Sequence, residues 1–103
     1  MSIIENVLDI PAEHSSNIFG SCDAYVKKIE RTLKVTIIAR DSELKLVGAE
    51  GAVKRAASVF AQLLELSKRG NTITEQNVDY ALSLSFEDKA EALYYYPMFR
   101  TWF

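Results

Sequence analysis

The chain has 103 residues, of which 49% are hydrophobic and 25% are charged, and this composition is that of a single folded domain. One cysteine and one histidine exclude an internal disulfide and metal sites built from several cysteines or histidines. No apolar run approaches the roughly 18 residues that a membrane helix needs, and the net charge of −2 argues against a strongly electrostatic nucleic-acid binder.

The first third of the chain predicts one strand and two helices. Residues 6–10 predict a short strand that is closed by Pro11, because proline lacks the N–H that a strand interior donates. Residues 14–19 predict a short helical turn that stops at Gly20. Asp23 is the predicted N-cap of the second helix, where its carboxylate can accept hydrogen bonds from the first turn. The apolar residues of that helix recur at helical spacing, at Val26, Ile29 and Leu33.

The middle of the chain predicts a hairpin followed by a long helix. Residues 35–40 are rich in β-branched side chains, and residues 43–48 alternate polar and apolar positions. The short link between them predicts an antiparallel pair. The strongest helical pattern begins after Gly48. Gly70 is the predicted residue with left-handed backbone dihedrals that ends this helix.

The last third predicts two further helices. Thr74 can cap a helix whose apolar positions are Val78, Ala81 and Leu82. The stretch 86–103 predicts another helix, broken near Pro97. It is rich in aromatic residues, namely Tyr94, Tyr95, Tyr96, Phe99, Trp102 and Phe103. So many aromatic side chains require burial against another surface.

Charge is spread unevenly over this acidic chain. Residues 20–40 carry five basic and two acidic residues, whereas residues 75–103 carry five acidic and two basic ones. Local charge matters because salt limits surface fields to about 8–10 Å. The basic middle segment is either a phosphate-binding surface or an ordinary solvated helix face.

The predicted order of elements is strand, helix, helix, strand, strand, helix. This order and the sequence of residues 7–31 together resemble a type I KH domain. We therefore predict an α+β fold with a three-stranded antiparallel sheet and helices on one face. KH domains bind four nucleotides of single-stranded RNA or DNA and hold a Gly-x-x-Gly loop near the phosphates. The matching residues are Gly20, Ser21, Cys22 and Asp23, so an aspartate replaces the second glycine. A carboxylate there repels phosphate.

A closer resemblance accounts for this departure. An ordered set of short segments resembles the N-terminal KH-like domain of PhoH-like proteins. The segments are Phe19-Gly20, the acidic residue that opens the helix, Ile29-Glu30-Arg31, Val35, Ala39-Arg40-Asp41, residues 44–48, Gly70, Ile73-Thr74, Val78 and Ala81-Leu82. In that family the domain precedes a P-loop ATPase domain, and the proteins are cytoplasmic, linked to phosphate starvation and suspected of acting on RNA. The first residues here lack a secretory signal, so we also expect a cytoplasmic location.

The resemblance implies a KH-like domain at residues 1–85 and no catalysis in this chain. Residues 86–103 are predicted as an aromatic helical extension that does not continue the family pattern. None of the four glycines opens a P-loop, so ATP and Mg²⁺ would belong to the ATPase domain of a parent protein, and we expect no cofactor or metal here. The predicted partners are single-stranded RNA and that ATPase domain. The candidate binding residues are Gly20, Ser21, Cys22, Asp23, Lys27, Lys28, Arg31, Ile37 and Ile38.

Two other classes of function remain open at this point. A degenerate KH-like domain can serve as a docking or oligomerisation module, with the aromatic residues 94–103 as its interface, because Tyr and Trp are favoured at interfaces. Catalysis is the weaker alternative: His14 next to two serines is not a triad, and Cys22 is an ordinary loop thiol unless a helix N-terminus lowers its pKa.

Overall fold

The computed structural model describes residues 3–40 and 42–86 of the chain. Three strands and four helices follow one another in the predicted order. They are β1 (Ile3–Asp9), α1 (Ala12–Phe19), α2 (Ala24–Leu33), β2 (Thr36–Arg40), β3 (Glu43–Ala49), α3 (Glu50–Lys68) and α4 (Glu75–Phe86), with a 3₁₀ turn at Ser21–Asp23 between α1 and α2.

The strands form one antiparallel sheet in the order β1-β3-β2. Strand β3 lies in the centre, and its Lys45 is directly opposite Val7 of β1 and Ile38 of β2. Residues opposite each other on antiparallel strands point to the same face of a sheet. One face of the sheet packs on the helices, and it includes the fully buried Leu44 and Leu46 of β3.

The core lies between this face and the helices. Helix α3 contacts both β1 and β3, and α1, α2 and α4 pack around it. The largest fully buried side chain is Phe60 on α3. The stripe of α2 is buried as its spacing predicts, at Val26, Ile29 and Leu33. The predictions of an α+β fold and of a three-stranded antiparallel sheet with helices on one face are therefore confirmed.

Local details differ from the predicted elements at several ends; helix α1, for example, begins at Ala12 rather than at residue 14 and is eight residues long rather than a single turn. Strand β1 begins at Ile3 rather than at residue 6, because its first residues pair with Ala49 and Gly48 at the end of β3. Asp23 does occupy the N-cap position of α2, but its side chain makes no capping hydrogen bond, so that part of the prediction was wrong. Its left-handed backbone conformation accounts for this, since a capping residue ordinarily has extended dihedrals.

The other helix ends match the sequence pattern. Thr74 caps α4: its Oγ1 accepts a hydrogen bond from the backbone N–H of Asn77, at 3.2 Å. Gly70 adopts a positive φ of 91° just after α3. The predictions for residues 87–103, including the aromatic extension, lie outside the described residues. Within the described ranges, no helix is long and apolar enough to cross a membrane, and no group of three His, Cys, Asp or Glu side chains is arranged to hold a metal ion.

Candidate nucleic-acid interface

The connection between α1 and α2 has an unusual backbone. Gly20 has φ 81° and ψ 176°, a region that is essentially restricted to glycine. Cys22 and Asp23 both have left-handed dihedrals, with φ of 53° and 57°. Aspartate tolerates this conformation better than most residues because its short side chain can bond locally. Asp23 therefore adopts a conformation that glycine would also adopt, although it is not glycine.

Tyr25 packs directly on Gly20 and fixes the shape of this turn. A Cβ atom added to Gly20 would lie 2.8 Å from both Cγ and Cδ2 of the tyrosine ring. The ring is held in place from its other end, where the Tyr25 hydroxyl donates to the carbonyl oxygen of Ile73 at 3.2 Å. The turn is therefore clamped between α2 and the α3–α4 connection.

Asn17 ties α1 to the same connection. Its Nδ2 donates to Ser67 Oγ and to the carbonyl oxygen of Asn71, each at 2.9 Å. Its Oδ1 accepts from the backbone N–H of Ile73 at 2.8 Å. Since Ser67 Oγ accepts from Asn17, its own proton is free to bond His14 Nδ1, 2.7 Å away. His14 thus has a structural place in this network, and its Nε2 lies 3.6 Å from Glu13 Oε2.

The positive charges of α2 divide into two groups. Lys27 and Arg31 are exposed and lie at i and i+4, so they share one side of α2, and the exposed Lys34 is the left-handed C-cap residue just past the end of the helix; we call these three residues the α2 flank. Within residues 3–40 and 42–86, none of the three forms an ion pair. These cations span about 10 Å along the helix axis. Their charge is therefore available to an outside anion.

Lys28 lies on a different side of α2 and already has partners. Its Nζ is 2.9 Å from Glu75 Oε2 and also contacts Asp79 Oδ1, both on α4. The hydrogen bond to Asp79, followed by that to Glu75, raises the pKa of Lys28 above its ordinary value of 10.5. The pairing therefore stabilises the fold at neutral pH, and on the alkaline side its contribution is lost as the pH rises through that raised pKa. Lys28 joins α2 to α4 and does not contribute to the α2 flank.

The two isoleucines of β2 point to opposite faces of the sheet. Ile37 is in the core, with 9% of its surface exposed, whereas Ile38 is 41% exposed on the face away from the helices. At the edge of β2, the backbone N–H of Ile37 donates to Glu30 Oε2 of α2 at 2.9 Å. Ile37 is therefore buried away from any outside ligand, and Ile38 is exposed on the opposite face of the sheet from the helices. Glu30 and Asp23 make the neighbourhood of the flank partly acidic.

The structure thus brings together the turn at residues 20–23, Lys27 and Arg31, and it separates Lys28, Ile37 and Ile38 from them. Lys34, the C-cap residue of α2, completes the flank and was missed in the sequence. Glu30 was also missed, because its contact with β2 depends on how the helix packs on the strand. This arrangement can offer an anionic polymer three cations that have no ion-pair partner among the described residues, next to the turn at residues 20–23.

Part of this chain is similar to PhoH-like proteins. It is 27% identical over 79 residues to the PhoH-like protein of Bacillus subtilis (strain 168), which covers 77% of this chain and 25% of that protein. It is 24% identical over 81 residues to the PhoH-like protein of Mycobacterium tuberculosis (strain ATCC 25618 / H37Rv), covering 79% of this chain and 23% of the other. The chain matches no protein-family model.

The fold is also seen in a solved structure. The crystal structure of a protein of unknown function from Aeropyrum pernix superimposes with a TM-score of 0.65, covering 99% of this chain and 54% of the other, at 14% identity. At that identity the likeness shows the fold alone. The matched region spans about a quarter of the length of the curated relatives above. The chain is therefore a distant homologue of one part of the PhoH-like proteins.

Proposed function

We propose that this chain is a non-catalytic, KH-like domain that binds single-stranded RNA in the cytoplasm. In a longer PhoH-like protein it would present that RNA to an ATPase domain. The observation that supports the proposal is the α2 flank, where Lys27, Arg31 and Lys34 form no ion pair within the described part of the chain and follow the turn at residues 20–23. Two features support the proposal of a KH-like domain: the element order β-α-α-β-β-α and the glycine-dependent turn between the first two helices.

The binding expected from this surface is weak and salt-sensitive. Three cations give few phosphate contacts, and for a single strand each contact contributes about 0.7 to the slope of log K against log salt. Asp23 and Glu30 reduce the local positive potential further. Detectable binding is therefore expected at low salt first.

Removing two of the flank cations should weaken RNA binding on the order of tenfold near physiological salt and flatten the salt slope by about 1.4. The variant is Lys27→Gln/Arg31→Gln, because glutamine keeps the helix propensity while it removes both charges. The measurement is fluorescence anisotropy with short labelled single-stranded RNA and DNA at several salt concentrations.

Two control variants separate the flank from general charge. Lys54→Gln/Arg55→Gln removes the same two residue types from exposed positions on α3 and should leave the affinity within about twofold. Lys28→Gln should likewise change the affinity little, because its charge is already paired with α4. Equal losses in all three variants would contradict a specific flank. No binding of the folded wild type at low salt would leave a docking or oligomerisation module as the better account.

Neutralising Asp23 should strengthen RNA binding severalfold at low salt, and less at high salt, because its repulsion of phosphate is screened. Asp23→Asn tests the charge, since asparagine tolerates the left-handed backbone. Asp23→Gly should give the same increase in RNA affinity if the negative charge of Asp23 alone weakens binding. Titrations of both variants against the same RNA decide this, and an unchanged affinity in both would show that phosphates do not approach the turn.

A further inference from the structure

The turn at residues 20–23 has a strained backbone that other parts of the fold must hold in place. Cys22 and Asp23 both have left-handed dihedrals, which residues with a side chain adopt at a cost in free energy. Such a conformation persists only where contacts with the surrounding structure offset that cost. Inside the turn, the backbone N–H of Asp23 donates to the carbonyl oxygen of Gly20 at 3.2 Å, so this bond reports whether the turn is closed.

One residue of the α3–α4 connection is bonded to the chain on both sides of this turn. The backbone N–H of Ile73 donates to Asn17 Oδ1 on α1 at 2.8 Å, and its carbonyl oxygen accepts from the Tyr25 hydroxyl on α2 at 3.2 Å. Asn17 lies three residues before Gly20, and Tyr25 lies two residues after Asp23. The side chain of Ile73 is buried in the core. Both ends of the turn are therefore attached to one fixed point.

The same piece of chain continues into α4, which is linked to α2 a second time. Thr74, which caps α4, directly follows Ile73. One turn of α2 beyond the strained segment, Lys28 Nζ lies 2.9 Å from Glu75 Oε2 and also contacts Asp79. The start of α4 and the residue that anchors the turn thus move together. A displacement of this end of α4 would withdraw Ile73 from Asn17 and Tyr25.

We propose that the α3–α4 connection, together with the start of α4, regulates RNA binding by holding the turn at residues 20–23 in its strained conformation. This inference rests on the proposed function, because it assigns a regulatory role at the same RNA-binding surface. With Ile73 in place, the turn keeps its shape next to the α2 flank. With Ile73 withdrawn, the strain is released and the affinity for RNA falls. Since coupling between two equilibria is reciprocal, bound RNA holds Ile73 in place to the same extent.

Tyr25 is the positioning residue in this scheme, and Tyr25→Phe tests it. The substitution removes the hydroxyl that is bonded to Ile73 and keeps the ring that packs on Gly20. Without RNA, the amide proton of Asp23 should exchange about fivefold faster, which is the effect of roughly one lost hydrogen bond, while amides in the centre of α3 keep their rates. NMR-detected hydrogen exchange measures both.

The same variant should bind short single-stranded RNA about threefold more weakly at low salt, as measured by fluorescence anisotropy. The slope of log K against log salt should stay unchanged, because no cation is lost. This separates Tyr25→Phe from Lys27→Gln/Arg31→Gln, which flattens the slope. In the wild type, saturating RNA should slow exchange of the Ile73 amide proton.

Ser85→Ala is the matched control. It also removes one hydroxyl that donates to a backbone carbonyl, from Ser85 Oγ to Leu82 at 2.6 Å, but it does so inside α4. Exchange of the Asp23 amide and the affinity for RNA should both stay at their wild-type values. An equal loss of affinity in Ser85→Ala and Tyr25→Phe would show a general effect of destabilisation and would overturn the proposal.

The two measurements separate the failure of this inference from the failure of RNA binding itself. Unchanged exchange of the Asp23 amide in Tyr25→Phe would show that Ile73 does not hold the turn, whether or not RNA binds. Faster exchange with unchanged RNA affinity would overturn the regulatory role and leave RNA binding by the α2 flank standing. A folded wild type that binds no RNA at low salt would overturn the proposed function, and the regulatory role with it.

Discussion

Replacing Gly20 with alanine should destabilise the protein by about 3 kcal/mol, a shift of more than a hundredfold in the folding equilibrium. Two physical costs add at this position. The dihedrals of Gly20, φ 81° and ψ 176°, cost a side-chain-bearing residue about 1–3 kcal/mol. The new methyl group would also meet the Tyr25 ring at 2.8 Å.

The ring cannot move away without further loss, because the Tyr25 hydroxyl is bonded to the carbonyl oxygen of Ile73. Urea unfolding of Gly20→Ala and wild type measures the difference. Gly70→Ala is the matched control: Gly70 also has a positive φ, of 91°, but nothing lies within 4 Å of an added Cβ. The Gly70→Ala variant should lose only about 1 kcal/mol of stability, because it has the strain of the positive φ but no steric clash.

A double-mutant cycle isolates the steric part. In a Tyr25→Ala background the ring is gone, so adding Gly20→Ala should cost about as much as the backbone strain alone. If Gly20→Ala and Gly70→Ala lost equal stability in the wild-type background, the contact with Tyr25 would not restrain the turn. The RNA titrations should be made on variants that remain folded, so that loss of the turn is not confused with loss of charge.

Replacing Asn17 with alanine should destabilise the protein by about 2 kcal/mol. The side chain makes three hydrogen bonds to residues that are 50 to 56 positions away in the chain. The largest part of the cost comes from the backbone N–H of Ile73, because Ile73 is buried and its donor loses its partner. Urea unfolding gives the total, and amide hydrogen exchange shows where it arises.

The amide proton of Ile73 should lose protection in Asn17→Ala more than the amides in the centre of α3 do. Asn6→Ala is the control, since Asn6 is exposed on β1, and it should change stability by less than about 0.5 kcal/mol. A uniform loss of protection over the whole domain would show that Asn17 does not act as a local clamp between α1 and the α3–α4 connection.

The secondary structure was largely determined by the sequence itself. Each correct prediction depended on a local pattern. The patterns are the spacing of Val26, Ile29 and Leu33, the alternation in residues 43–48 and the positions of Thr74 and Gly70. Burial of one helix side, the pleat of a strand and the geometry of a cap all act within a few residues. The same reasoning misjudged the Asp23 cap because it could not foresee the left-handed backbone at that residue.

Only the tertiary structure decided which of the candidate residues share a surface. Lys28 turns toward Glu75 and Asp79 on α4, while its neighbour Lys27 on the α2 flank forms no ion pair with any residue that the structure describes. Strand alternation requires that Ile37 and Ile38 differ, but the packing of the helices determines that Ile37 is the buried one. Asn17 and Glu30 acquire their roles from partners on other elements. The sequence shows which side chains can form ion pairs or hydrogen bonds. Which partner each of these side chains has depends on the packing of segments that are distant in the chain.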